Sequence, residues 1–240
     1  MKREQSLGRS KVAAWSVHLL TASGAIFALL ALRAVEQGNQ LAALLWLGIA
    51  LIVDGLDGTL ARAVKVRDQL PNIDGEALDL VVDYLTYVFV PALLILRGDY
   101  LPGVLAAPLT AAVLVSSLYV FVRKDMKTED GYFRGFPALW NVVALYFVVA
   151  TPSTGIAAAI VAILIVMTFA PIHVVHPFRV QDYGEILPVL AVAWGVFTAP
   201  LLYPDLSVFL KAFLLVMSLA TAAMLVAMGL FRTVRGPRPQ

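Results

Sequence analysis

Apolar runs of membrane-spanning length recur along most of this chain, and they leave few folds open. A helix needs about 20 residues to cross a bilayer, and only helices or closed barrels satisfy every backbone group there. The runs and their breaks predict eight spans, near 12–35, 40–60, 76–97, 102–122, 137–152, 155–174, 186–203 and 208–231. Pro152 and Gly155 separate the fifth from the sixth, and the fifth is short for a full crossing. Asn39, Gly98-Asp99 and Pro204-Asp205 mark short connections. Hydrophobic residues make up 60% of the chain and charged ones 14%, against about a half and a quarter in soluble domains. The expected fold class is therefore all-α, a polytopic membrane protein of about eight transmembrane helices. No internal repeat, low-complexity stretch or linker divides it, so 1–240 reads as one integral membrane domain.

The absence of cysteine excludes disulfides and thiolate metal sites. A net charge of +2 without a basic stripe gives no case for nucleic acid. The basic start, Met1 to Lys11, runs into a long apolar segment with no small-residue cleavage site, which predicts a retained first helix rather than a signal peptide. Lys and Arg sort by connection. Lys2, Arg3, Arg9 and Lys11, then Arg62, Lys65 and Arg67, then Arg123, Lys124, Lys127 and Arg134, then Arg179, then Arg232, Arg235 and Arg238 fall on one side. Only Arg33, Arg97 and Lys211 fall on the other. The positive-inside rule then places both termini, and the loop after the second span, in the cytoplasm.

Four aspartates, Asp54, Asp57, Asp79 and Asp83, break this apolar background. They stand in Asp54-Gly55-Leu56-Asp57-Gly58-Thr59-Leu60-Ala61-Arg62 and in Gly75-Glu76-Ala77-Leu78-Asp79-Leu80-Val81-Val82-Asp83. Each costs roughly 2.5–3.5 kcal/mol at membrane depth on insertion scales. Residues three or four apart share a helix face, so Asp54 with Asp57, and Asp79 with Asp83, make two faces. Turned together, these form an all-oxygen pocket for hard divalent cations. Two such ions would neutralise four carboxylates and clamp a displacement at phosphorus. Magnesium or manganese suits oxygen donors, whereas zinc normally brings His or Cys. One carboxylate can also serve as a general base. Gly58 lets backbone approach a ligand, Ala61 lies one turn on, Arg62 offers a bidentate donor to phosphate, and Gly75 stands one turn before Asp79. Together they describe a metal-bound diphosphate. The rival reading is a cation or proton path in a transporter, which explains the carboxylates but not Gly58, Ala61 and Arg62.

This pattern resembles the signature of the CDP-alcohol phosphotransferase superfamily, D-x-x-D-G-x-x-A-R followed by a spacer and G-x-x-x-D-x-x-x-D. All eight fixed positions are present, as Asp54, Asp57, Gly58, Ala61, Arg62, Gly75, Asp79 and Asp83. The spacer, residues 63–74, is longer than the family's usual run. The resemblance implies a six-helix core with its site at the cytoplasmic face, where a phosphoryl-linked group passes from a CDP-activated donor to an alcohol with release of CMP. It implies that Asp54, Asp57 and Asp79 hold the metals. Asp83 would be the general base with a share in ligation. Gly58, Ala61 and Arg62 would lie against the cytidine nucleotide, with Gly75 on the ligand-facing side. Thr21 either bonds the carbonyl one turn back or contacts the nucleotide.

The alcohol is carried by other residues. Ser16-Val17-His18, Thr21-Ala22-Ser23-Gly24, the segment Met126 to Pro137, Trp140-Asn141, Pro171-Ile172-His173 and His176-Pro177 with Arg179 resemble the bacterial phosphatidylcholine synthase family over nearly the whole chain. That resemblance implies CDP-diacylglycerol and free choline as substrates, manganese as the usual ion, and a bacterial inner membrane. Family members are often dimeric, so a homodimer is an expectation of the resemblance alone. Choline is a permanent cation that donates no hydrogen bond from its head, and aromatic faces hold such groups. Tyr119, Tyr132, Phe133, Phe136 and Trp140 cluster in sequence with Glu129 and Asp130; Tyr84 and Tyr87 flank Asp83. The choline candidates are thus Tyr84, Tyr119, Glu129, Asp130, Tyr132, Trp140 and Asn141. An interfacial aromatic belt is the plainer reading of the rings, and Asn141 either caps a helix or reaches the site. His18 reads as a packed histidine with a local hydrogen bond, or as a ligand. His173 and His176 suit a cytoplasmic bend bracketed by prolines. Arg123, Lys124 and Lys127 mark topology near anionic membrane lipids. Inositol, serine or glycerol phosphate remain as alternative acceptors; Arg123, Lys124 and Arg134 keep the last open, but the aromatic and acidic segment beside them favours a cation.

Overall fold

The computed structural model describes residues 2–237, with side chains from Ser10 onward. Met1 and 238–240 lie outside the described residues, and with them Arg238; so do the side chains of Lys2, Arg3 and Arg9, all used as topology markers. The chain is an all-α, multi-pass membrane protein. Among the described residues, five helices are long and apolar enough to cross a membrane: Ser10–Glu36, Gln40–Val64, Gly75–Arg97, Gly103–Val122 and Val208–Arg235. Three shorter apolar helices, Trp140–Ala150, Thr154–Phe169 and Ile186–Leu202, occupy the other three predicted positions. They are short for physical reasons. Thr151 turns left-handed at φ 44° before Pro152, and Ala170, extended at ψ 146°, precedes Pro171, where proline disfavours helix in the residue before it.

The described residues form two compact units, Met1–Gly98 and Asp99–Gln240. In the first, α1 (Lys2–Glu36) reverses through Gly38, at φ +70°, into α2 (Gln40–Val64). Asn39 caps α2 by accepting the Ala42 N–H at 3.0 Å. Lys65, left-handed at φ 55°, ends α2 and returns its N–H to the carbonyls of Ala61 and Arg62. The spacer contains the single turn α3 (Val66–Gln69), whose Gln69 accepts the Ser10 hydroxyl at 2.8 Å. Asp74 then caps α4 (Gly75–Asp83) by accepting the Ala77 N–H at 3.0 Å. A π-helical turn, Tyr84–Phe89, leads into α5 (Val90–Arg97). Helix α1 packs on both α2 and α4. A Cβ at Gly24 would collide with Val82 Cγ1, so the Val82 side chain of α4 packs directly on the α1 backbone at that point.

The second unit holds α6 (Gly103–Val122), α7 (Trp140–Ala150), α8 (Thr154–Phe169), α9 (Ile186–Thr198) and α10 (Val208–Arg235). Two strands absent from the sequence reading, β1 (Phe133–Arg134) and β2 (His173–Val174), pair antiparallel with Phe133 opposite Val174. They tie the loop after α6 to the loop after α8. Gly135 sits at φ +78°, and a Cβ there would run into the Thr168 carbonyl. Gly135→Ala therefore combines a left-handed penalty with overpacking, and should cost on the order of 3 kcal/mol. A lowered thermal unfolding midpoint in detergent would show it; an unchanged midpoint would mean that the strand pair relaxes freely.

Candidate active site

Helical spacing does what the sequence predicts for the four aspartates. Asp54 and Asp57 on α2, and Asp79 and Asp83 on α4, line one narrow cleft with Thr21 and Gly24 of α1. One carboxylate oxygen each from Asp54, Asp57 and Asp79 lies within 4.8 Å of the other two. Asp57 is buried, only 5% exposed, and the other three are half-buried. Two unit charges at such a range repel by about 3 kcal/mol at an effective dielectric near 20, so the cluster calls for cations or protons. An oxygen-only donor set of this kind fits a hard divalent metal. Asp83 hydrogen-bonds with Asp54. The Thr21 hydroxyl is within reach of both the Val17 carbonyl, at 3.3 Å, and the Asp57 carboxylate.

The small residues have distinct surroundings. Around Gly58 the first atom a Cβ would meet is Arg62 Nη1 at 3.6 Å, so that face of α2 is open. Arg62 lies back along its helix, its Nη2 donating to Thr59 Oγ1 at 3.1 Å. Ala61 packs on the apolar cluster of Ala14, Val17 and Val66. Gly75 faces the His18 ring, whose Cε1 would lie 2.9 Å from an added Cβ. His18 is packed as expected, at 7% exposure, but its Nε2 has no hydrogen-bond partner. An unsatisfied buried group costs about 1–3 kcal/mol, which a ligand atom would recover.

In the second unit the choline candidates divide. Glu129 and Asp130 line a pocket of about 600 Å³ with Arg134, Arg179, Asp182 and Arg232. Tyr132 is fully buried, and its hydroxyl donates to Asp182 Oδ2 at 3.0 Å. Burial, then the Asp182 carboxylate, raises that hydroxyl above its ordinary pKa, so it stays a donor. Arg232 sits 5.6 Å over the Tyr132 ring and donates to Asp130 at 2.7 Å. Burial alone would raise the Asp130 carboxyl, but the bonds from Arg232 and Thr128 outweigh it and hold it low. Arg123 lies 5.2 Å over the Tyr119 ring. These two rings thus already face guanidinium groups, which compete with any other cation for them. Trp140 is fully buried and donates to Ser117 at 2.8 Å, while Asn141, also buried, accepts the Val142 N–H. Tyr84 adjoins Asp83 in the first unit. His173 and His176 face different neighbours, Thr233 and the stacked Phe133 ring. Burial first, then Arg179 and Lys127, push His176 down to about 4, so it is neutral near pH 7.

Comparison with known proteins decides the family. The CDP-alcohol phosphatidyltransferase profile matches residues 16–197, including all four aspartates. The chain belongs to the CDP-alcohol phosphatidyltransferase family. Among its relatives, the phosphatidylcholine synthase of Pseudomonas aeruginosa is 48% identical over 185 residues, 77% of this chain and 78% of that one. The phosphatidylcholine synthase of Bradyrhizobium diazoefficiens is 44% identical over 187 residues, 78% of this chain and 70% of its own. That of Borreliella burgdorferi is 35% identical over 187 residues, 78% and 80% of the two chains. Membership makes the chain a phosphatidyl-transferring enzyme of a family that uses divalent metals, and the aspartate cluster has the donors for one.

Sequence reasoning passed over several neighbours of these sites. Gly24 was noted only within a resembling stretch, and its meeting with Val82 has no local signal. Arg232 reads as a topology marker, because its partner Asp130 lies 102 residues away.

Proposed function

We propose that this enzyme is a phosphatidylcholine synthase, condensing CDP-diacylglycerol with choline to give phosphatidylcholine and CMP. The similarity to enzymes of that name over more than three quarters of the chain carries the reading of the acceptor. The aspartate cleft supports the chemistry. We read 1–240 as one catalytic membrane domain in a bacterial inner membrane, with termini and site cytoplasmic.

Asp54, Asp57 and Asp79, with a share from Asp83, would hold two divalent ions, manganese or magnesium. Such ions supply charge neutralisation at the diphosphate and at the departing CMP. Thr21 orients the Asp57 carboxylate. The open face at Gly58 gives the nucleotide room beside α2, and Arg62 would leave Thr59 in order to meet phosphate. Asp83 takes the proton of the choline hydroxyl. The choline oxygen then forms its bond to the phosphorus that bears diacylglycerol, and that phosphorus loses its bridging oxygen, which leaves on CMP. Fixed positions and fixed charges supply most of the rate. Among the choline candidates, Glu129 and Tyr84 have the most favourable settings, one exposed on its pocket and the other next to Asp83.

One assay tests the acceptor. Purified enzyme receives CDP-diacylglycerol, Mn²⁺ and, in turn, labelled choline, inositol, serine or glycerol phosphate. Labelled lipid and CMP are expected with choline alone. Product with inositol, serine or glycerol phosphate instead would move the chain to another acceptor, and no CMP with any of them would overturn the transferase reading.

A further inference from the structure

Proline lacks an N–H and its ring clashes with the carbonyl four residues back. Pro91 stands four residues after Tyr87, and the helix answers with the π turn Tyr84–Phe89 immediately after Asp83. Such turns are rare and concentrate at functional sites. The geometry gives this one a use. In an unbroken α-helix Tyr87 would lie about 80° around the axis from Asp79. The wider turn brings it back onto the aspartate face, where its hydroxyl donates to Asp54 Oδ2 at 2.7 Å across 33 residues of sequence.

We infer that Tyr87 is a positioning residue for the metal site, its hydroxyl fixing the Asp54 carboxylate in the orientation that ligation needs. A carboxylate has about four lone-pair positions, so accepting one bond at Oδ2 leaves Asp54 able to ligate. Partners of this kind fix the orientation of a ligand and strengthen its binding, and losing one typically costs 10–100-fold in metal affinity. Tyr87 also bridges the two ligand-bearing helices, tying the Asp54 side of the cleft to the element that carries Asp79 and Asp83. The inference rests on the reading of the aspartates as a divalent-metal site.

The test is Mn²⁺ affinity by electron paramagnetic resonance on detergent-purified protein, wild type against Tyr87→Phe, with no substrate present. Thermal unfolding without metal monitors the fold. Tyr87→Phe is expected to weaken Mn²⁺ binding by at least about 10-fold while the metal-free midpoint moves little. Unchanged affinity, or a fallen midpoint with unchanged affinity, overturns the role of Tyr87. A wild type that binds no Mn²⁺ overturns instead the metal reading beneath it. A second measurement needs no loss of the hydroxyl. With 3-fluorotyrosine placed at position 87 alone, Mg²⁺ is expected to shift its fluorine resonance, and an unmoved resonance on saturation with Mg²⁺ counts against the coupling.

Discussion

Asp83→Asn is expected to lower turnover by about 10²–10⁴-fold, the usual contribution of a general base, while CDP-diacylglycerol still binds. The amide keeps the shape of the carboxyl but cannot accept the proton of the attacking alcohol. The three oxygens that come within 4.8 Å of one another belong to Asp54, Asp57 and Asp79, so the main donor set survives the change. Asp83 instead hydrogen-bonds with Asp54, beside the donor set rather than within it. Single-turnover release of CMP, measured beside equilibrium binding of the nucleotide donor, separates the two roles. Full activity in Asp83→Asn would exclude it as the base. Loss of donor binding in step with activity would make it a ligand first.

Asp57→Ala should have the larger effect, removing both metal binding and measurable transfer. Asp57 is the most deeply buried of the four, at 5% exposure, and its carboxylate has little solvent to replace a cation. Asp79→Ala should behave alike. The sign of the stability change is diagnostic. Without metal, deleting one of several crowded like charges relieves repulsion, so metal-free Asp57→Ala should unfold no earlier than the wild type. With Mn²⁺ present the wild type should gain stability by linkage, since the ion binds only the folded state. The variant should not. A full Mn²⁺-induced rise in the unfolding midpoint of Asp57→Ala would remove Asp57 from the ligand set.

Long apolar runs made the helices legible, and prolines accounted for the ends of two of the short ones. The aspartates were equally plain, because three- and four-residue spacing fixes a helix face whatever surrounds it. What stayed hidden depended on partners far apart in the chain. Phe133 and His173 belong to strands two residues long, too short to show any alternation. Tyr87 reads as an aromatic flanking Asp83, suited to a choline head or to packing, and only the turn ahead of Pro91 shows its hydroxyl on Asp54. Gly75 reads as a ligand-facing glycine, yet the atom nearest its missing Cβ is a His18 ring carbon on another helix. Tyr132 looks like part of a cage for a foreign cation, and no local pattern reveals that Arg232, far along the chain, already covers it; Arg123 over Tyr119, by contrast, follows from four-residue spacing on one helix.

Helix α1 contributes no carboxylate to the cleft, yet α2 and α4 both rest on it, and at Gly24 its backbone touches Val82 with nothing between. The two helices that carry the aspartates share this support, and the missing methyl group at position 24 leaves room for Val82 on one of them. A larger side chain at position 24 would press α1 away from α4, and so disturb the cleft without replacing any of its carboxylates.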